Sequence, residues 1–270
     1  MTEPSPQHRL PTIMANWKMA MTIDESRTFI DDFLPEIDDL IGKIQIIICS
    51  PATAITTLAP IIEPLPLVEV GAQNSSAHPD LNHTGELSAG LLADAGAAWC
   101  MVGHWDVIRQ VDKSDEDLNH ELHALIATHI RPIILVGESN DEQDSNSNSE
   151  SAYDHLKQRM KVILSGIQPA DMARAVMIYE PEWAIGSSVT AAPELVGKRC
   201  QFIRQWLRQR FDDRTAQIVP ILYGGSVFPE NSEALLAGSD LDGFGAGRRG
   251  RNPKEFAQIA RTITHAKGIS

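Results

Sequence analysis

Short apolar runs alternate with amphipathic stretches along the whole chain. The apolar runs cover residues 12–17, 44–49, 67–72, 99–102, 132–136, 175–178, 218–222 and 241–246. They are rich in Val and Ile and lack clean two-residue alternation, as expected of strands buried on both faces. Between them, apolar positions recur at helical spacing over residues 23–34, 51–61, 86–95, 115–128, 153–165, 193–210, 231–236 and 253–264. Strand and helix thus alternate eight times. Parallel strands need helical crossovers and eight of them close a packed ring, so the pattern predicts a single-domain α/β fold, a (β/α)8 barrel. The barrel is expected over residues 11–270, after an N-terminal extension at 1–10. An open doubly wound sheet is the alternative, weakened by the missing G-x-G-x-x-G after the first strand. Residues 139–150 form a Ser/Asn/acidic run, read as a solvated loop without chemistry.

Composition narrows the partners. The 270 residues are 43% hydrophobic and carry a net charge of −13. That charge argues against nucleic acid and anionic membrane surfaces. A phosphorylated ligand would need local donors instead of a globally positive field. Cys49, Cys100 and Cys200 are odd in number and lack any C-x-x-C pairing, which fits reduced thiols and a cytoplasmic location. No apolar stretch reaches 18 residues, and residues 1–9 lack the apolar core of a signal peptide. His120, His123 and His129 sit in a helical stretch with no matching Cys or acidic ligand set, so no metal is expected.

Chemistry collects where the strands end. The first run closes on Asn16-Trp17-Lys18, an amide and an amine that a barrel mouth would aim at one oxygen, with the two residues on one strand face. The fourth leads into Gly103-His104; a helix starting nearby would disfavour imidazolium and leave a neutral N–H donor. The sixth runs into Tyr179-Glu180-Pro181-Glu182-Trp183-Ala184-Ile185-Gly186. Here Pro181 cannot continue a sheet ladder and leaves a carboxylate at the strand tip. The seventh and eighth give Tyr223-Gly224-Gly225-Ser226 and Gly245-Ala246-Gly247-Arg248-Arg249-Gly250. Glycines there let main-chain N–H groups approach an anion, at the usual phosphate position of this fold.

These segments, with Gly71-Ala72-Gln73-Asn74 and Thr84-Gly85-Glu86, resemble the triosephosphate isomerase family, in family order and over nearly the whole chain. The resemblance implies that Glu180 is the proton-transferring base and that neutral His104 polarises the carbonyl, with Lys18 stabilising negative charge and Asn16 assisting. It implies that N–H groups of Gly186, Ser226 and Gly247 hold phosphate and that residues 187–191 form a lid latched by Tyr223 and Ser226. It also implies a small phosphorylated sugar substrate, no cofactor, and a homodimer in which residues 75–85 pack near the partner's site.

Several positions depart from the family pattern. Trp105 replaces a small hydroxyl residue, Asp106 is one methylene shorter than the usual Glu, and Val107 and Ile108 replace two arginines. Lys113 stands where an acid is usual, Ser187-Ser188-Val189 replaces Thr-Gly-Lys, and Arg248 replaces a glycine at the phosphate end. Three functions fit this pattern: interconversion of dihydroxyacetone phosphate and D-glyceraldehyde 3-phosphate, isomerisation of another small phosphosugar such as a tetrulose phosphate, or phosphosugar binding without turnover.

Overall fold

A computed structural model describes residues 9–78, 80–140, 150–187 and 190–269. Eight parallel strands are hydrogen-bonded in chain order, and the eighth closes on the first. They are β1 (Thr12–Asn16), β2 (Gln45–Cys49), β3 (Val68–Ala72), β4 (Trp99–Val102), β5 (Arg131–Val136), β6 (Val176–Tyr179), β7 (Ile221–Tyr223) and β8 (Gly243–Ala246). The helices between them are α1 (Ile23–Glu36), α2 (Ala52–Ile62), α3 (Ala89–Asp94), α4 (Trp105–Val111), α5 (Asp115–Ala127) and α6 (Glu150–Ile163). The remainder are α7 (Pro169–Met172), α8 (Pro193–Arg210), α9 (Asp213–Ile218), α10 (Pro229–Ala237) and α11 (Pro253–Ala266). The closed ring is the predicted barrel, and the open sheet is excluded.

The lack of two-residue alternation has a direct cause. One side of each strand fills the barrel lumen, with Met14, Ile47, Met101, Ile133, Leu135 and Ile178 among the buried side chains. The other side packs under the helices through residues such as Ile13, Ile46, Ile134 and Tyr223. Inward parity then decides what reaches the mouth. Val176 and Ile178 point into the lumen, and Glu180 is the next residue of that set; Met14 is likewise followed by Asn16.

Boundaries moved where capping or a missing donor outweighed the apolar pattern. The predicted strand at 218–222 starts only at Ile221, because Asp212 caps α9 through Thr215 N at 2.6 Å and carries the helix to Ile218. The predicted helix at 86–95 starts at Ala89, capped by Ser88. The strand at 241–246 starts at Gly243, although the Asp242 main chain still bonds to both neighbours, donating to Ile221 O at 2.8 Å and accepting from Thr12 N at 3.0 Å. The extension at 1–10 and the run at 139–150 lie largely outside the described residues. Helices α4, α7 and α9 lie outside the helical stretches that the sequence predicts.

Candidate active site

The predicted site residues surround one cavity of about 250 Å³ at the C-terminal mouth of the barrel. Asn16, Lys18, His104, Glu180, Gly186, Ser226, Gly247 and Arg248 all line it.

Lys18 is brought there by strained backbone, and not by strand alternation as expected, because β1 already ends at Asn16. Its φ of +52° is the left-handed conformation, which costs about 1–3 kcal/mol in a non-glycine residue and persists only when neighbours hold it. Asn16 Oδ1 accepts from Lys18 N at 2.9 Å, and Gln73 Nε2 donates to Lys18 O at 2.9 Å and Cys49 O at 3.1 Å. Gln73 belongs to the Gly71-Ala72-Gln73-Asn74 motif, whose sequence alone does not indicate this bracing role. The amine end of Lys18 pairs with Asp106 Oδ2 at 2.8 Å. The shorter acid therefore still reaches Lys18. Burial alone would raise the Asp106 carboxyl, but the Lys18 hydrogen bond and the nearby charges hold it below its usual range.

His104 is the N-cap of α4, and its Nδ1 accepts from Asp106 N at 3.0 Å. That bond occupies the Nδ1 lone pair, so the neutral ring carries its proton on Nε2. Burial pushes the imidazole down to about 4; the Asp106 carboxylate opposes the shift and Lys18 adds to it. Gly103 makes the turn possible: its φ is +87°, and a Cβ would sit 2.8 Å from Leu135 O.

Glu180 follows β6 directly and continues the ladder through its N–H to Val136 O at 2.8 Å. Its carboxylate is buried, 3.7 Å from His104 Nε2, and Oε2 has no hydrogen-bond partner. Burial raises the carboxyl to about 8, with Lys18 pulling it down and Asp106 pushing it up. Gly224 packs against it so closely that a Cβ there would lie 3.0 Å from Glu180 Oε1 and 2.7 Å from Ile178. Trp105 turns away from the cavity: its indole N–H donates to Glu180 O at 3.0 Å, and Arg159 stacks on its ring at 4.4 Å.

Across the cavity lies a set of main-chain donors. Among the described residues, the N–H groups of Gly186, Ser226 and Gly247 donate to no group of the chain. Arg248 stands beside them and donates from Nη2 to Gly186 O at 3.2 Å. The segment after Gly186 is held from both sides. Ser226 Oγ donates to Ser187 O at 2.5 Å and Ala184 O at 3.1 Å, while Ala191 N donates to the Tyr223 hydroxyl at 3.3 Å. Thr190 Oγ1 donates to Ser226 O at 2.8 Å. Ser188 and Val189, the middle of the expected lid, lie outside the described residues.

Two networks beneath the site escaped the sequence. Glu138, at the edge of the run read as chemically silent, pairs with buried Arg199 and accepts from Tyr179 Oη at 2.9 Å. Lys113, the reversed charge of the fourth-strand segment, meets Glu121 at 3.1 Å and Asn74 Oδ1 at 2.7 Å. Glu121 is itself fully buried. Glu138 and Arg199 are distant in sequence, and Lys113 precedes α5 while Glu121 lies within it, so no helical spacing announced either pair. Among the described residues, no group of His, Cys, Asp and Glu is arranged to hold a metal ion.

An anion cradle, an amine, an imidazole and a desolvated carboxylate around one small cavity suit proton transfer on a phosphorylated carbonyl compound. The family model for triosephosphate isomerase matches residues 11–263. The chain belongs to the triosephosphate isomerase family. It is 35% identical over 260 residues to the triosephosphate isomerase of Symbiobacterium thermophilum, covering 96% of this chain and 99% of that protein. To the triosephosphate isomerase of Chloroflexus aurantiacus it is 34% identical over 251 residues, covering 93% and 98%. The crystal structure of triosephosphate isomerase from Bartonella henselae superposes with a TM-score of 0.80 at 27% identity, covering 93% of this chain and 98% of that one. The barrel of this family member therefore spans the same length as those of its relatives.

Proposed function

We propose that this protein is a working triosephosphate isomerase, interconverting dihydroxyacetone phosphate and D-glyceraldehyde 3-phosphate. The observation that carries the reading is the 3.7 Å approach of His104 Nε2 to a buried Glu180 carboxylate, opposite three unengaged main-chain N–H groups. The ionised Glu180 removes a proton from the carbon beside the carbonyl, and the pair of electrons moves onto the carbonyl oxygen. His104 donates its Nε2 proton to that oxygen, and the Lys18 ammonium stabilises the negative charge. The proton is then exchanged between the two oxygens, and Glu180 returns its own to the neighbouring carbon. Burial matters at each step: it raises the basicity of Glu180 and keeps His104 neutral, so that its conjugate imidazolate is matched to an enediolate. Gly186, Ser226 and Gly247 hold the phosphate through N–H groups, and Arg248 supplies the side-chain cation at that end.

The protein acts as a homodimer. Met19 and Leu81, respectively 100% and 88% exposed, lie in the loops that follow the C-terminal ends of β1 and β3. This places them on the mouth side, where residues 75–85 would pack against a partner. A cytoplasmic location fits three buried cysteines without disulfides. Among the described residues, no helix is long and apolar enough to cross a membrane.

A coupled assay on triose phosphates tests the reading, with a tetrulose phosphate run alongside. Turnover of the triose pair in both directions is expected. Turnover of the four-carbon compound alone would reassign the substrate, and binding without turnover of either would remove the catalytic reading.

A further inference from the structure

Helix α4 does more than present His104. Trp105 and Arg109 are four residues apart and share one face of this helix. That face meets the segment following β6. The Trp105 indole N–H donates to Glu180 O at 3.0 Å. One turn further on, the Arg109 guanidinium pairs with the Glu182 carboxylate. Pro181, between the two, offers no N–H of its own. Residues 180–182 are therefore held to α4 at both ends.

A tryptophan that merely filled space and a surface ion pair would be of small worth. Two observations weigh against so slight a role. Glu182 is buried, with only 6% exposed, and a buried carboxylate requires a counter-charge and donors. It has both: Arg109 on one side, and Asn140 N donating to Oε2 at 2.5 Å. Trp105, in turn, places its single polar atom on the main-chain oxygen of the residue whose carboxylate faces the cavity. The ring is held in that pose by Arg159, which stacks on it and pairs with Asp115 at 3.3 Å.

We propose that Trp105 and Arg109 are positioning residues, which fasten the segment bearing Glu180 to the helix that presents His104. They thereby fix the carboxylate–imidazole spacing. The substitution of a bulky indole beside the imidazole is then no obstruction. It is a tether. This proposal rests on the reading of Glu180 and His104 as the reacting pair.

The test uses Trp105→Phe, which keeps an aromatic ring and removes the N–H, together with Arg109→Met and Arg109→Lys. Two readouts separate positioning from packing. In the first, the carboxyl of Glu180 is titrated by NMR of carbon-13-labelled glutamate, assigned by its loss in Glu180→Gln. Release of the tether lets water reach the carboxylate, so its midpoint is expected to fall toward the ordinary carboxylate range in both Trp105→Phe and Arg109→Met. In the second, kcat on triose phosphate is expected to drop about 10-fold or more in Trp105→Phe, with KM little changed, as misplacement of a reacting group predicts. Arg109→Met should show a smaller loss that Arg109→Lys largely restores. Folded variants with the parental titration and kcat would overturn the proposal. Should Trp105→Phe not fold, the two half-exposed Arg109 variants decide it by the same criteria. If the parent turns over no triose phosphate, the functional reading falls, and the titration still decides whether the tether exists.

Discussion

Glu180 illustrates how burial is put to use at a single residue. Its carboxyl is raised to about 8 by desolvation, well above the ordinary 4.5. Between those two values the unfolded chain gives up the proton while the folded chain keeps it. Stability contributed by this group therefore falls as pH rises from 4.5 to 8, and then levels off. Glu180→Gln cannot ionise in either state, so it should match the parent near pH 4 and exceed it above pH 8, by on the order of a few kcal/mol. Urea unfolding at a series of pH values would show this, and a constant difference across the range would contradict it. Chemistry demands the opposite sacrifice: Glu180→Asp withdraws the carboxylate by one methylene and should lower kcat at least ~10²-fold with little change in KM. The type and place of this residue were legible, since it ends an apolar run and precedes proline. Its desolvation was not, because it depends on what folding packs against it, including Gly224 from the neighbouring strand end.

At the scale of elements, two short segments decide the site. Helix α4 was invisible as a separate unit, although its N-cap His104 was singled out. Seven residues give too few turns for a periodic signal, and the predicted helical stretch begins only at residue 115. Capping through His104 Nδ1 therefore appears only in three dimensions, and with it the tautomer of the ring. The second segment joins Gly186 to the loop after β8 through Arg248. Arg248→Gly removes both the hydrogen bond to Gly186 O and a cation from the anion end. Affinity for inorganic phosphate, measured by competition with substrate, should fall roughly 10-fold, the scale of one charge-assisted hydrogen bond. Unchanged affinity would take Arg248 out of the site.

The whole molecule is acidic, and the proposed anion site is confined to one mouth. Its net charge of −13 leaves attraction of a phosphate to Lys18, Arg248 and local main-chain donors, not to the overall field. The same end exposes Leu81 and Met19, which places the proposed subunit contact beside the site. Leu81→Asp should shift the protein toward monomer in light scattering at micromolar concentration. A parent that is already monomeric at all concentrations would overturn the dimer.

Alternating apolar and amphipathic stretches were enough to determine eight strands in a parallel α/β fold and to favour a closed ring, because burial on both faces of a strand leaves its mark directly on the sequence; the closure itself was decided by the structure. The residue types at the strand tips were equally plain. Only the tertiary structure decided that Lys18 reaches the mouth through left-handed backbone, that Asp106 still reaches Lys18, and that Trp105 points out of the cavity. It also paired Arg109 with Glu182 and Lys113 with Glu121. Each of these depends on which groups folding brings against one another, and periodicity records which side of an element is buried, not what lies against it.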